Sequence, residues 1–334
     1  MRTSRIVALA AVAALALSAC SHASKPEARP THAPKVWKLT YDGSGSQARI
    51  AADARASSFD GTSLVIEYTD RARSEDDRAG TFDVTTGKRT DRARVAYPGG
   101  QIIGVERTGA WLVYGEESSR GIYTPGQALW RIVALGPHAQ RKVLATSGGK
   151  KVTMSPDLDV LEGAAAWTTY PDAHHDFRTF SWRPSQRGPH REDVDPGDAN
   201  ECTPSTTHPE LVGACFRTDD WIAWTEQADP KTETADTNDP RHLFFSGGGP
   251  QQKLADLDDF ATDLVIFGDY LVWENGHGVM VTDLRHPAAT VRVGPSANID
   301  TFLTDGRTAV VVREKNRSTT AEVIDPAHLH LVSD

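Results

Sequence analysis

The stretch from Gly268 to Arg285 reads as two short alternating strands joined by a turn: Gly268-Asp-Tyr-Leu-Val-Trp-Glu-Asn275, then Gly278-Val-Met-Val-Thr-Asp-Leu-Arg285. Weaker versions of the pair recur along most of the chain. Six segments open on a glycine or an acidic residue and run into an alternating apolar strand, often ending in an aromatic. They occupy 61–66, 109–114, 162–167, 219–224, 268–273 and 306–311. Their last residues, Ile66, Tyr114, Trp167, Trp224, Trp273 and Val311, lie 48, 53, 57, 49 and 38 positions apart. Period-two alternation carried by β-branched and aromatic residues predicts strands and not helices.

A second strand follows each segment, and in most cases a polar turn leads into a third. Examples are 129–136 into 141–144, 243–248 into 252–255, 279–284 into 290–293 and 321–326 into 329–332. A further short strand often precedes the glycine, as at 101–105 and 261–266. The count is about four strands per unit and six units, or seven if two are merged between 152 and 218. One small sheet cannot keep both faces dry alone; stacking such sheets around an axis buries both and shields their edges. The expectation is an all-β chain forming a single β-propeller of four-stranded antiparallel blades. Trp111, Trp167, Trp221, Trp224 and Trp273 are the expected filler between blades. Residues 35–41, ahead of the first repeat, are expected to pair with the last blade and tie the ends together.

Phe82-Asp-Val-Thr-Thr-Gly-Lys88 and Met280-Val-Thr-Asp-Leu284 carry an apolar strand followed by an acidic turn. In this the chain resembles the TolB-like and quinoprotein-like propellers of bacterial envelopes over about residues 36–334. The resemblance rests on degenerate patterns and implies a fold, not an activity. Regular Trp-Asp dipeptides are missing, which sets the chain apart from the WD40 class.

The N-terminus carries an address. Arg2 and Arg5 precede an apolar run from Ile6 to Leu17, then Leu17-Ser-Ala-Cys20. A basic start, an apolar core of about a dozen residues and a small-residue cleavage site make a secretory signal, too short for a spanning helix of about 20 residues. The four residues resemble the lipobox of bacterial lipoproteins. The resemblance implies that residues 1–19 are a signal peptide and that Cys20 receives a diacylglycerol thioether. Acyl chains contribute about 0.8 kcal/mol per buried CH₂, and two or three suffice for stable anchoring. Residues 20–35 then form the lipidated cysteine and a proline-rich tether, and 36–334 the folded domain. The implied location is the extracytoplasmic face of the cell membrane.

Charge narrows the partners. The chain has 36 Lys and Arg against 45 Asp and Glu. Without Arg2 and Arg5 the balance is 34 against 45, or −11. Nucleic acid and flat association with an anionic bilayer both favour basic patches, so neither is expected. Of three cysteines, Cys20 goes to lipid, leaving Cys202 and Cys215 in an oxidising compartment. A bridge between them closes a short loop worth roughly 2–3 kcal/mol by chain entropy; the alternative is two free thiols.

Chemistry is harder to find. There is no Gly-x-Ser-x-Gly elbow, His-Glu-x-x-His, P-loop or EF-hand loop. His174, His175 and Asp176 form the best local metal candidate, although neighbours in an extended chain point to opposite sides. The acidic segment 229–240 could offer oxygen ligands to calcium but lacks glycine-spaced ligands. On innermost strands, the channel candidates are Asp157, Asp159, Asp263 and Asp300, with His208 beside them. No cofactor is called for. The favoured reading is a non-catalytic binding scaffold at the cell envelope, displaying loops to an unidentified envelope protein or ligand. The alternative is a propeller enzyme or ligand sensor with a calcium-dependent hydrolase or lyase-type site in the channel.

Overall fold

The computed structural model describes residues 35–43, 47–51, 54–70, 76–97, 99–118, 129–147, 155–161, 163–169, 178–192, 202, 204, 206, 212–228, 241–257, 263–316 and 318–333. Two strands, β1 (Trp37–Tyr41) and β2 (Gln47–Ala51), precede the first repeat. The first sheet contains β3 (Ala54–Phe59), β4 (Ser63–Asp70), β5 (Asp76–Asp83) and β6 (Arg89–Arg94), and the second β7 (Gln101–Thr108), β8 (Trp111–Glu117), β9 (Trp130–Leu135) and β10 (Arg141–Thr146). The third contains β11 (Asp157–Leu161), β12 (Ala164–Thr169), β13 (Arg178–Trp182) and β14 (His190–Glu192), and the fourth β15 (Val212–Arg217), β16 (Ile222–Gln227), β17 (Arg241–Ser246) and β18 (Gln252–Leu257). The fifth holds β19 (Leu264–Phe267), β20 (Tyr270–Glu274), β21 (Val279–Asp283) and β22 (Thr290–Gly294). The chain ends with β23 (Ile299–Thr304), β24 (Ala309–Lys315), β25 (Ser318–Ile324) and β26 (Leu329–Ser333).

Each of the first five sheets is a meander, every strand antiparallel to the one before it. The six segments singled out by their repeat are β4, β8, β12, β16, β20 and β24, the second strand of every four-stranded sheet. First strands of neighbouring sheets touch one another: β3 meets β7 and β23, β7 meets β11, and β19 meets β15 and β23. The fold is a β-propeller with six full blades, and a two-stranded sheet brings the number of sheets to seven.

Period-two alternation explains why sheets this small are stable. On β4, Val65 packs toward the second sheet while Leu64, Ile66 and Tyr68 pack toward the sixth. On β24, Val310 and Val312 face the first sheet, and Ala309 and Val311 face the fifth. Five apolar seams arise in this way. Between third and fourth sheets no such cluster forms among the described residues. There Ala164, Ala166 and Thr168 alternate with the seam residues of β12, and Cys202 is joined to Cys215 on β15 by a disulfide, with Cα atoms 5.6 Å apart. Trp111, Trp167, Trp221 and Trp273 belong to seams as expected, and Trp224 is buried against Phe244.

The termini are joined differently from the sequence expectation. The strand at 37–41 does tie the ends, but it pairs with β26 and not with the last four-stranded sheet. That sheet runs β2-β25-β24-β23, so β2 supplies its outer strand. The reason lies in Asp325-Pro326. Asp325 accepts a hydrogen bond from Ala327 N at 2.8 Å and caps a short turn that carries the chain away from β25. The vacated edge takes β2. Asp42 accepts from or shares protons with His328 Nδ1 (2.9 Å) and His330 Nε2 (3.0 Å), closing the two-stranded clasp.

Trp167 is fully buried in the seam between second and third sheets, stacked on Phe180 with ring centroids 6.0 Å apart. Trp167→Ala is expected to lower stability by about 3–5 kcal/mol in urea unfolding. Val143→Ala, on an exposed position, is expected to stay within about 0.5 kcal/mol of wild type. Equal losses would mean that the seams do not hold the sheets together.

Candidate functional site

The two ends of the blades are not alike. First and second strands are joined by turns of two to four residues, from Phe59 to Ser63, Thr108 to Trp111 and Phe267 to Tyr270 for example. Side chains pin these turns: Asp60 Oδ1 accepts from Thr62 N (3.1 Å) and Ser63 N (2.7 Å), and Asp305 Oδ1 from Arg307 N (2.9 Å) and Thr308 N (2.7 Å). At the opposite end, second and third strands are separated by 71–75, 118–129, 170–177 and 228–240 in the first four sheets, and 193–211 separates the third sheet from the fourth.

A cavity of about 390 Å³ lies at that second end, where the first, second and sixth sheets meet. It is lined by the start of β3 (Arg55), the end of β4 (Glu67, Thr69), the start of β5 (Asp77), the start of β7 (Gln101) and the end of β24 (Glu314). Asp77 is occupied structurally: Oδ1 accepts from Thr69 Oγ1 at 2.9 Å and Oδ2 from Ile102 N at 3.1 Å. Glu67 is different. Its Oε2 is sealed from solvent without a hydrogen-bond partner. Burial pushes its carboxyl up to about 7, with Arg55 opposing and Asp77 reinforcing the shift.

Glu106 on β7 is the second such group, 8% exposed and also with an unpartnered Oε2. Burial raises its pKa to about 8; the neighbouring charge of Asp159 adds to the shift and Glu67 contributes further. Two carboxyls that hold their protons near neutrality can donate a hydrogen bond or give up a proton to an incoming cation or base. Glu116 and Glu117, also buried, are fully engaged. Glu116 accepts from Ala96 N at 2.7 Å and pairs with Arg131, while Glu117 bonds Gln101 and Ser155.

The residues expected at the channel fall out unevenly. Asp157 and Asp159 lie exposed on β11, and Asp300 lies exposed on β23. Asp263, just before β19, accepts from Thr301 Oγ1 (2.8 Å) and Phe302 N (2.7 Å), so it stitches the fifth sheet to the sixth. Burial raises its pKa, with a contribution from Asp300. The structure therefore brings Asp159 within electrostatic reach of Glu106, and Asp300 within reach of Asp263. Among the described residues no three His, Cys, Asp or Glu side chains converge as a metal site. Cys20, His174, His175, Asp176, His208 and the segment 229–240 lie outside the described residues. No helix among the described residues is long and apolar enough to cross a membrane.

Sequence reasoning missed Glu67 and Glu106. Both interrupt apolar runs, Leu64-Val-Ile-Glu67 and Ile102-Ile-Gly-Val-Glu106, in strands that are buried on both faces, and that interruption was the available signal. Trp221 and Trp224 border a hollow of about 630 Å³; Trp221 donates to Asp269 Oδ1 at 3.1 Å and packs on Phe245, and Trp224 is 1% exposed.

No known protein family matches the chain, and no curated protein does. Solved structures do. The chain is similar to the tricorn protease (11% identity, 86% of this chain and 26% of that one, TM-score 0.45). An acylaminoacyl peptidase in complex with Z-Gly-Gly-Phe-chloromethyl ketone is similar at 10% identity over 85% of this chain, with TM-score 0.40; this chain spans 45% of it. The β-propeller domain of the Trilobed protease from Pyrococcus furiosus is similar at 11% identity, 80% of this chain and 78% of that one, with TM-score 0.36.

The two raised carboxyls make a pH prediction. Between the ordinary value of 4.5 and the folded values of about 7 and about 8, the folded chain holds protons that the unfolded chain has lost. Stability from these groups is therefore present below pH 4.5 and lost as pH rises through 7–8. Where the difference is complete, each group contributes a slope of about 1.4 kcal/mol per pH unit. In urea unfolding at pH 5 and pH 8, Glu67→Gln/Glu106→Gln is expected to lose markedly less stability than wild type. Parallel curves for the two proteins would show that neither carboxyl is protonated in the fold.

Proposed function

We propose that this chain is a lipid-anchored binding scaffold on the extracytoplasmic face of the cell membrane, held at Cys20 and carrying its propeller, residues 36–334, on the tether 20–35. The observation that carries the binding role is the inequality of the blade ends. Short pinned turns at one end make a rigid base, and the chain places its long connections at the other, where a partner can be met without disturbing the seams. Leu17-Ser-Ala-Cys20 supports the anchor, and the Cys202–Cys215 bridge accords with an oxidising compartment. The net charge of the mature chain disfavours nucleic acid as the partner.

A second reading, a small-ligand sensor or a hydrolase or lyase, is favoured by one observation: Glu67, poised near neutrality, lines the cavity at the same end, with Glu106 in electrostatic reach of it. In that reading the neutral carboxyl is a general acid, its conjugate base the acceptor.

Two measurements separate these readings. Cys20→Ser is expected to move the protein from the membrane fraction to the medium and abolish incorporation of labelled palmitate; unchanged membrane retention would refute the anchor. Crosslinking and capture from envelopes is then run with two further variants. A scaffold loses its partner when 229–240 is replaced by a Gly-Ser linker and keeps it in Glu67→Gln/Glu106→Gln. The reverse pattern belongs to the ligand site.

A further inference from the structure

A second hollow, about 540 Å³, opens beside the sixth sheet, where the N-terminal strand β2 completes a sheet built otherwise from the end of the chain. Arg49 on β2 is in register with Thr320 on β25, and Thr320 with Arg313 on β24. The three side chains therefore stand in one row on one face of the sheet, at strand spacings of about 4.8 Å. Lys315, two residues along β24 from Arg313, joins them on that face, and Asn298 lines the rim. Three cations thus surround one hollow in a chain whose net charge is −9.

Arg313 forms its floor. Only 6% of it is exposed. Its Nη1 donates to Ala297 O at 3.1 Å, and Nε lies 3.6 Å from Glu322 Oε2. Nε and Nη2 have no hydrogen-bond acceptor. Glu322 balances one of the three charges and leaves two. A buried guanidinium with idle donors is costly, and cations grouped at cross-strand distances repel. An oxygen-rich anion seated among Arg49, Arg313 and Lys315 relieves that repulsion, and guanidinium groups suit its oxygens.

We propose that this hollow is an oxyanion site, taking the phosphate or carboxylate group of a small molecule or lipid headgroup, with Arg313 as floor and Arg49 and Lys315 as closing arms. Thr320 and Asn298 offer polar contacts to the rest of the ligand, for which the hollow has room beyond the anionic group. The ligand touches β2 and β24 together, so its binding fastens the N-terminal strand to the last sheet and stabilises the fold by mass action. The site is independent of the anchor at Cys20.

The test is thermal unfolding of the full chain in increasing inorganic phosphate, against chloride at matched ionic strength. Phosphate is expected to raise the midpoint where chloride does not. Arg49→Gln/Lys315→Gln, both at exposed positions, is expected to need at least tenfold more phosphate for the same rise. Lys38→Gln/Lys88→Gln, with the same change of charge elsewhere, is expected to match wild type. No phosphate-specific rise, a wild-type response in Arg49→Gln/Lys315→Gln, or an equal loss in both variants overturns the proposal. Replacing phosphate by vesicles of phosphatidylglycerol in phosphatidylcholine tells the sources apart. Stabilisation that depends on Arg49 and Lys315 identifies a headgroup; its absence beside a positive phosphate result identifies a soluble oxyanion.

Discussion

The structure depends on strands that are apolar on both faces. In a half-exposed sheet, alternation separates a dry face from a wet one; here it separates two neighbours. Leu112 and Tyr114 on β8 belong to the seam with the first sheet, while Val113 belongs to the seam with the third. Leu271 and Trp273 on β20 face the fourth sheet and Val272 the sixth. Each fully buried aliphatic or aromatic side chain contributes about 1.5–3 kcal/mol of transfer free energy, and no single sheet could collect that on both sides. Stability is thus a property of adjacency. The polar stitches between sheets follow the same rule: Thr319 donates to Ala54 O at 2.9 Å, Thr108 to Gly163 O at 2.8 Å, and Gly268 N to Gly306 O at 2.9 Å.

Adjacency raises the question of how a linear chain completes the circuit. The last sheet needs an outer strand, and the chain supplies it from the start, as β2. A second pairing, β1 with β26, then lies against β22, with Leu39 and Leu329 entering the seam between fifth and sixth sheets. The clasp therefore adds to an existing core and is not an ornament on the surface. It also makes the sixth sheet a composite, one of its three strand pairings joining residues far apart in the chain, such as Gln47 and Glu322.

Much of this was readable from residue order. The second strand of every sheet stood out because its position is the most enclosed, and enclosure demands the apolar run that makes a repeat visible. The outer strands were harder to see. Gln47-Ala-Arg-Ile-Ala51 is short, and at its exposed positions carries Gln and Arg, so nothing in its composition separates it from a loop. The strand at 329–332 was visible, but its partner was not, because pairing across the whole chain leaves no local trace and the turn at Asp325-Pro326 redirects it. Cys202 and Cys215 were readable because so few cysteines remain once Cys20 is set aside. The channel acids were readable as acids on inner strands, but that Asp263 spends its oxygens on Thr301 and Phe302 is something no spacing rule reveals.

What the seams exclude is as informative as what they contain. Strands buried on both faces have no free position for a charge, so each charge there needs a partner or a reason. Glu116 has its partners in Ala96 N and Arg131, and Arg131 also lies over the Tyr97 ring. Glu67, Glu106 and Arg313 keep polar atoms that are buried and unanswered. Glu67 and Arg313 border hollows at the blade end where the long connections leave, and Glu106 lies within electrostatic reach of Glu67. At the opposite end the polar side chains are consumed by turns, as Asp60, Asp83 and Asp305 are. Unanswered polar atoms are not confined to one end, however: Ser58 Oγ, just before the turn at Asp60, and His286 Nδ1, in the turn after β21, are buried without a hydrogen-bond partner as well. What divides the two ends is thus the length of their connections, to which the hollows at Glu67 and Arg313 add chemistry at the longer-looped end.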